Sequence, residues 1–96
     1  MVWHTVWFKL KEGVSEEDKQ AMMQGLRALT GHIDGIEDLG CGEDFCGRSQ
    51  GFQIGLVVKF VSREALDAYG PHPMHQEFIS GFKHLWDGVM ALDFDG

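Results

Sequence analysis

The stretch VWHTVWFKL, residues 2–10, decides the fold. Val2, His4, Val6, Phe8 and Leu10 alternate with Trp3, Thr5, Trp7 and Lys9. A period of two puts the two sets on opposite faces of a β-strand. Large apolar groups stand on both faces, so both need a cover.

Immediately after it, KEGVSEED breaks the alternation. Ser15 and Asp18 have the spacing of a capping box. Ala21, Met22, Leu26 and Leu29 then recur at helical spacing, with Met23 adjoining the stripe. This predicts a helix over 15–30 with Gly31 as its C-cap. DGIEDLGCGED is rich in turn residues and predicts a short, irregular strand over 36–43, followed by a loop at FCGRSQG. FQIGLVVKF, residues 52–60, alternates again, with Phe52, Ile54, Leu56, Val58 and Phe60 on one face. Ser62 caps a helix over REALDAY, which Gly70 and Pro71 stop. Pro73 disfavours a helical His72 and suits a first helical position. A third helix therefore starts there and continues through Phe78, Phe82 and Trp86. VMALDFD closes as a strand, with Val89, Ala91 and Asp93 on one face and Met90, Leu92 and Phe94 on the other.

The order β-α-β-β-α-α-β is that of a ferredoxin-like α+β unit, a four-stranded antiparallel sheet with helices on one face. One domain over residues 1–96 is expected. The other sheet face would carry Trp3, Trp7, Met90, Leu92 and Phe94 uncovered. A patch of that kind marks an interface, and a homodimer with its sheets packed face to face is the expected cover.

Composition narrows the partners. The net charge is −7 and no Lys/Arg cluster occurs. Nucleic acid and anionic membrane both require a basic face, so neither is expected. No apolar run approaches the length of a membrane span. The N-terminus lacks the charged region and apolar core of a signal peptide. Cys41 and Cys46 are five apart and form no CxxC pair. They are expected as free thiols in a reducing compartment, which points to the cytoplasm, with a local disulfide left open.

His4 shares its strand face with Val6 and Phe8, and Asp93 shares its face with Val89 and Ala91. Burying either unpaired is costly, so both need partners. Tyr69, His75 and Asp93 are the candidates. In YGPHPMH, Tyr69, His72 and His75 stand three apart. His75 falls in the first turn of its helix, where the dipole disfavours an imidazolium. A neutral imidazole is a general base. Asp93 would accept a hydrogen bond from one ring nitrogen of His75 and fix its tautomer. Tyr69 would offer its hydroxyl to a carbonyl. Met and Phe side chains around them would suit an apolar ligand. The plainer reading is that His75 and Asp93 only tie the last strand to the helix and Tyr69 only packs. His72 reads as a cap or surface residue, His32 and His84 as solvent-facing, and Cys41 as packing. No ligand set has metal-site spacing, so no metal and no cofactor are expected.

HTVWFKLKEGVSEED (4–18), GFQIGLVVKFVSREALDAY (51–69), HPMH (72–75) and LDFD (92–95) together resemble the stress-responsive A/B barrel (Dabb) family over essentially the whole chain. The resemblance implies a dimeric ferredoxin-like α+β barrel. It implies a homodimeric stress-response protein with an apolar pocket, or alternatively a cofactor-free polyketide cyclase or aldol-type lyase. In the second case it implies His75 as base, Tyr69 as polariser of the carbonyl, His4 as a pocket histidine and Asp93 as the partner of His75. The implied lining is Val6, Phe8, Met22, Met23, Leu26, Leu56, Val58, Phe78, Val89 and Ala91. Ile54 stands where the family's cyclase has a histidine. Met22, Met23 and Leu26 stand where it has aromatic residues, so the implied tunnel has a different shape.

Overall fold

A computed structural model describes residues 1–96. The elements are β1 (Val2–Leu10), α1 (Glu16–Ala28), a 3-10 turn (Leu29–Gly31), β2 (Ile36–Glu43), β3 (Ile54–Phe60), α2 (Arg63–Tyr69), α3 (Pro73–Phe82), a second 3-10 turn (Lys83–Leu85) and β4 (Trp86–Asp95). The strands pair antiparallel in the order β2-β3-β1-β4. This is the ferredoxin-like arrangement that the order of elements predicts. The opening strand lies inside the sheet, with β3 on one side and β4 on the other, and only its His4–Val6–Phe8 face is covered within the protomer.

Local chemistry sets each helix start. The Ser15 hydroxyl accepts from the Asp18 amide at 3.1 Å, and the Ser62 hydroxyl accepts from the Ala65 amide at 3.1 Å. His72 caps α3 through Nδ1, which accepts from the Met74 amide at 3.1 Å, and Pro73 opens that helix. A proline there gives up no helical hydrogen bond, because the first amides of a helix have no partner within it.

Three boundaries differ from expectation. First, α1 stops at Ala28 and tightens into a 3-10 turn, and Gly31 is not left-handed. The left-handed glycine between α1 and β2 is Gly35 (φ +90°), where an added Cβ would stand 2.5 Å from that of Ala65. Only glycine lets β2 start this close to α2. Second, β3 begins at Ile54, two residues after the expected start, with Gln53 bonded to β1 just ahead of it. Its amide donates to the Phe8 carbonyl and its side-chain oxygen accepts from the Leu10 amide. Third, Trp86 starts β4 rather than ending α3, and its ring packs on Phe8 at 5.0 Å and Phe78 at 6.1 Å.

The core lies between the sheet and the helices. Phe8, Met22, Leu26, Ile54, Leu56, Val58 and Phe60 are its buried centre. Phe60 has no exposed surface and meets the Tyr69 ring edge-on at 5.1 Å. Phe60→Ala is expected to cost about 3–5 kcal/mol, a large part of the roughly 5–15 kcal/mol that holds a small domain together. Urea unfolding of the two proteins measures it. A loss below about 1 kcal/mol would mean that the site collapses around the smaller side chain.

The opposite sheet face is open. Trp7, Val57, Met90, Leu92 and Phe94 stand there at 49, 39, 46, 61 and 49% exposure. No helix is long and apolar enough to cross a membrane.

Candidate functional site

A cavity of about 460 Å³ opens between the sheet and α2 and α3. Its floor is β1 and β3, through His4, Val6, Phe8 and Leu56, and its walls include Leu66, Tyr69, His75, Phe78 and Ile79. Strand alternation aims His4, Val6 and Phe8 the same way. Helical spacing aligns His75, Ile79 and Lys83, each four residues from the last. Lys83 is the lining's one Lys or Arg.

Tyr69 is the last residue of α2 and is only 2% exposed. No protein group bonds its hydroxyl, and no buried polar atom is left without a partner, so the hydroxyl looks into the cavity. Burial pushes its pKa up to about 12. The phenol stays protonated and is a hydrogen-bond donor. Its ring lies 4.2 Å from that of His75 and 5.6 Å from that of His4.

Nδ1 of His75 lies 2.9 Å from the Gly70 carbonyl oxygen. A carbonyl only accepts, so Nδ1 carries the proton and Nε2 is left as a bare acceptor. Burial lowers the His75 pKa, the bond to Gly70 opposes this, and His4 and His72 nearby add to the lowering. The folded protein therefore holds this ring neutral into acid where the unfolded chain would protonate it. The contribution to stability is complete above the ordinary value of 6.5 and shrinks as pH falls from there toward the folded midpoint. An NMR titration is expected to place the His75 midpoint below 6.5. A midpoint above it would contradict the buried, neutral ring.

Asp93 corrects the sequence reading. Its carboxylate accepts from Nδ1 of His4 at 2.5 Å, not from His75. The reason is register. His4 and Asp93 are direct partners on β1 and β4, on the same face of adjacent antiparallel strands. Such side chains are within contact distance by construction. His75 comes from the helical layer with its Nδ1 already engaged. The result is two histidines, each with Nδ1 held and Nε2 free, on either side of a phenol.

The expected lining divides. Val6, Phe8, Leu26, Leu56, Phe78 and Val89 do line the cavity. Met22, Met23 and Val58 do not: at 0, 3 and 0% exposure they are packed solid against neighbouring core groups. Ala91 stands exposed on the edge strand, outside the wall. Leu66, Gly70, Ile79, Lys83 and Trp86 were missed. The spacing 75–79–83 was a readable signal for two of them. Trp86 was hidden by its assignment to α3. His32 and His84 are exposed, and Cys41 packs against the core.

Fold and cavity define a class, the ferredoxin-like α+β proteins with a pocket roofed by the second and third helices. The chain belongs to the Stress responsive A/B Barrel Domain family, which it matches over residues 2–95. It is similar to a stress-response A/B barrel domain-containing protein of Arabidopsis thaliana, 30% identical over 95% of this chain and 82% of the relative. It is 24% identical to olivetolic acid cyclase of Cannabis sativa over 95% of this chain and 92% of the cyclase. Among solved structures, an Arabidopsis thaliana protein superposes with a TM-score of 0.91 at 28% identity, covering 100% of this chain and 95% of the other. A Thermobifida fusca protein of unknown function, described as dimeric and ferredoxin-like, superposes with a TM-score of 0.87 at 17% identity, covering 99% and 90%.

Proposed function

We propose that this chain is a one-domain homodimer whose cavity binds a small apolar carbonyl compound and moves a proton at the carbon beside the carbonyl, without a cofactor. One observation carries this reading. Tyr69, His4 and His75 line one apolar cavity, and no protein group bonds the Tyr69 hydroxyl or Nε2 of either histidine. At about 460 Å³ the cavity falls within the usual range for small-molecule sites. Tyr69 donates to the carbonyl oxygen and stabilises the enolate that forms there. His75 takes the proton through Nε2, its neutral state favoured by burial. With a second carbonyl on the same substrate, the enolate carbon attacks it and closes a ring, and the alkoxide formed as that C=O π bond opens takes the proton back from Nε2 of His75. The likeness to a cyclase supports this chemistry.

The open sheet face and the dimeric description of a structural neighbour support the homodimer. Two free thiols, Cys41 and Cys46, favour a reducing compartment such as the cytoplasm. The family name supports a role in stress response.

The test uses 2,4-nonanedione in D2O at mildly acidic pH, where spontaneous exchange is slow. Proton NMR follows deuterium entering between the carbonyls. The protein is expected to accelerate exchange in a saturable way. A rate equal to that of buffer alone would remove the acid–base function.

A further inference from the structure

The His4–Asp93 pair bridges two different environments. The His4 side chain is 13% exposed and the Asp93 side chain 44%. His4 lines the apolar cavity and Asp93 does not. Asp93 instead lines a second recess, also about 460 Å³, between the end of β4 and α2. Val2, Arg63, Leu66, Asp67, Phe94 and Asp95 complete that recess, which is polar and open. Leu66 belongs to both walls, so the recesses stand back to back. The rings of Tyr69 and Phe60 close the flanks of His4, at 5.6 and 6.2 Å. The hydrogen bond from His4 to Asp93 is the polar connection between one recess and the other.

We propose that His4 and Asp93 form a proton relay between the cavity and solvent. Its use in turnover rests on the proton-transfer function above; its geometry does not. A proton from the cavity bonds to Nε2 of His4. The proton on Nδ1 crosses to the Asp93 carboxylate, and Asp93 releases it to water in the outer recess. One N–H bond forms, one breaks, and no electron is gained or lost. In the reverse direction Asp93 takes a proton from water, passes it to Nδ1, and Nε2 gives its own to the cavity. A ring with one nitrogen facing each side is suited to this. His75 is not, because its Nδ1 proton is bonded to the Gly70 carbonyl, which has no acidic proton to pass on. The outer recess holds other groups that exchange protons with water. Asp67 is there, and Asp95 is there in an ion pair with Arg63.

Asp93→Asn is the diagnostic variant, since the amide oxygen still accepts from His4 but carries no proton onward. In dilute buffer, exchange of 2,4-nonanedione is expected to fall about 10²-fold, the low end of what a positioned proton-transfer group contributes. Added imidazole should recover most of the loss in the variant and change the wild-type rate little. A variant as fast as wild type, or one that imidazole fails to rescue, would reduce Asp93 to a positioning role and overturn the relay. A second reading needs no substrate. Nitrogen-15 NMR should show the His4 ring proton exchanging with water more slowly in the variant, with His75 unchanged. If the wild type leaves the diketone untouched, the carbonyl function fails on its own. Equal ring-proton exchange in the two proteins would then still reject the relay.

Discussion

His75→Ala is expected to slow carbonyl-adjacent proton exchange by roughly 10²–10⁴-fold, the usual contribution of a positioned general base. The fold should survive. His75 is half-buried, and its one hydrogen bond goes to the Gly70 carbonyl. That oxygen keeps a partner, because Gln76 Nε2 also donates to it, at 2.7 Å. The vacated space adjoins an existing cavity, so no sealed void is left behind. Circular dichroism should match the wild type while the exchange rate collapses. The competing outcome is informative, since His4 also presents a free Nε2 to the same space. An unchanged rate in His75→Ala, with loss of activity in His4→Gln instead, would move the base from α3 to β1.

If the proposed homodimer forms through the open sheet face, Trp7→Asp is expected to give monomers in sedimentation velocity where the wild type sediments as a dimer. Trp7 is 49% exposed in the protomer and stands among Val57, Met90, Leu92 and Phe94 on the uncovered face. A tryptophan presents on the order of 200 Å² in all. About half of it is therefore left to bury, worth roughly 2.5 kcal/mol per copy. A two-fold interface counts the change twice. The substitution also places two carboxylates in an apolar layer, which adds a desolvation cost. A loss of about 5 kcal/mol or more weakens association by at least three orders of magnitude. The protomer should remain folded, because its own core lies on the other side of the sheet. An intact dimer would mean that the copies meet through some other surface.

Much of the fold was legible because local rules were obeyed almost everywhere. β1 and α2 could be read to the residue, and β2 could be placed approximately within a turn-rich stretch. The serine caps and Pro73 marked three helix starts. The misread boundaries lie where a distant group overrode the local signal. At the head of β3, Gln53 is tied to β1 by its amide and its side chain, and at the head of β4 the Trp86 ring packs on Phe8 and Phe78. Gly31 looked like a helix stop, but the close contact between β2 and α2 required the left-handed residue at Gly35.

The site was half legible for a related reason. Tyr69 and His75 are six residues apart, so chain geometry near Pro73 nearly dictates their meeting. His4 and Asp93 are separated by 89 positions. Alternation showed which apolar residues share a strand face with each, but not that the two oppose each other. A shift of β4 by two residues would have preserved every apolar and polar face while breaking the pair.

By itself, then, the order of residues determined what is periodic: which segments are strands or helices, which side of each is greasy, and that one sheet face lacks a cover. These follow from side-chain spacing along a regular backbone. Tertiary structure alone decided which Nδ1 the carboxylate holds, and it left a cavity between the helices and β1 while Met22, Met23 and Val58 were packed shut. Those outcomes depend on strand register and on how side-chain volumes fit across layers, quantities that no single segment contains.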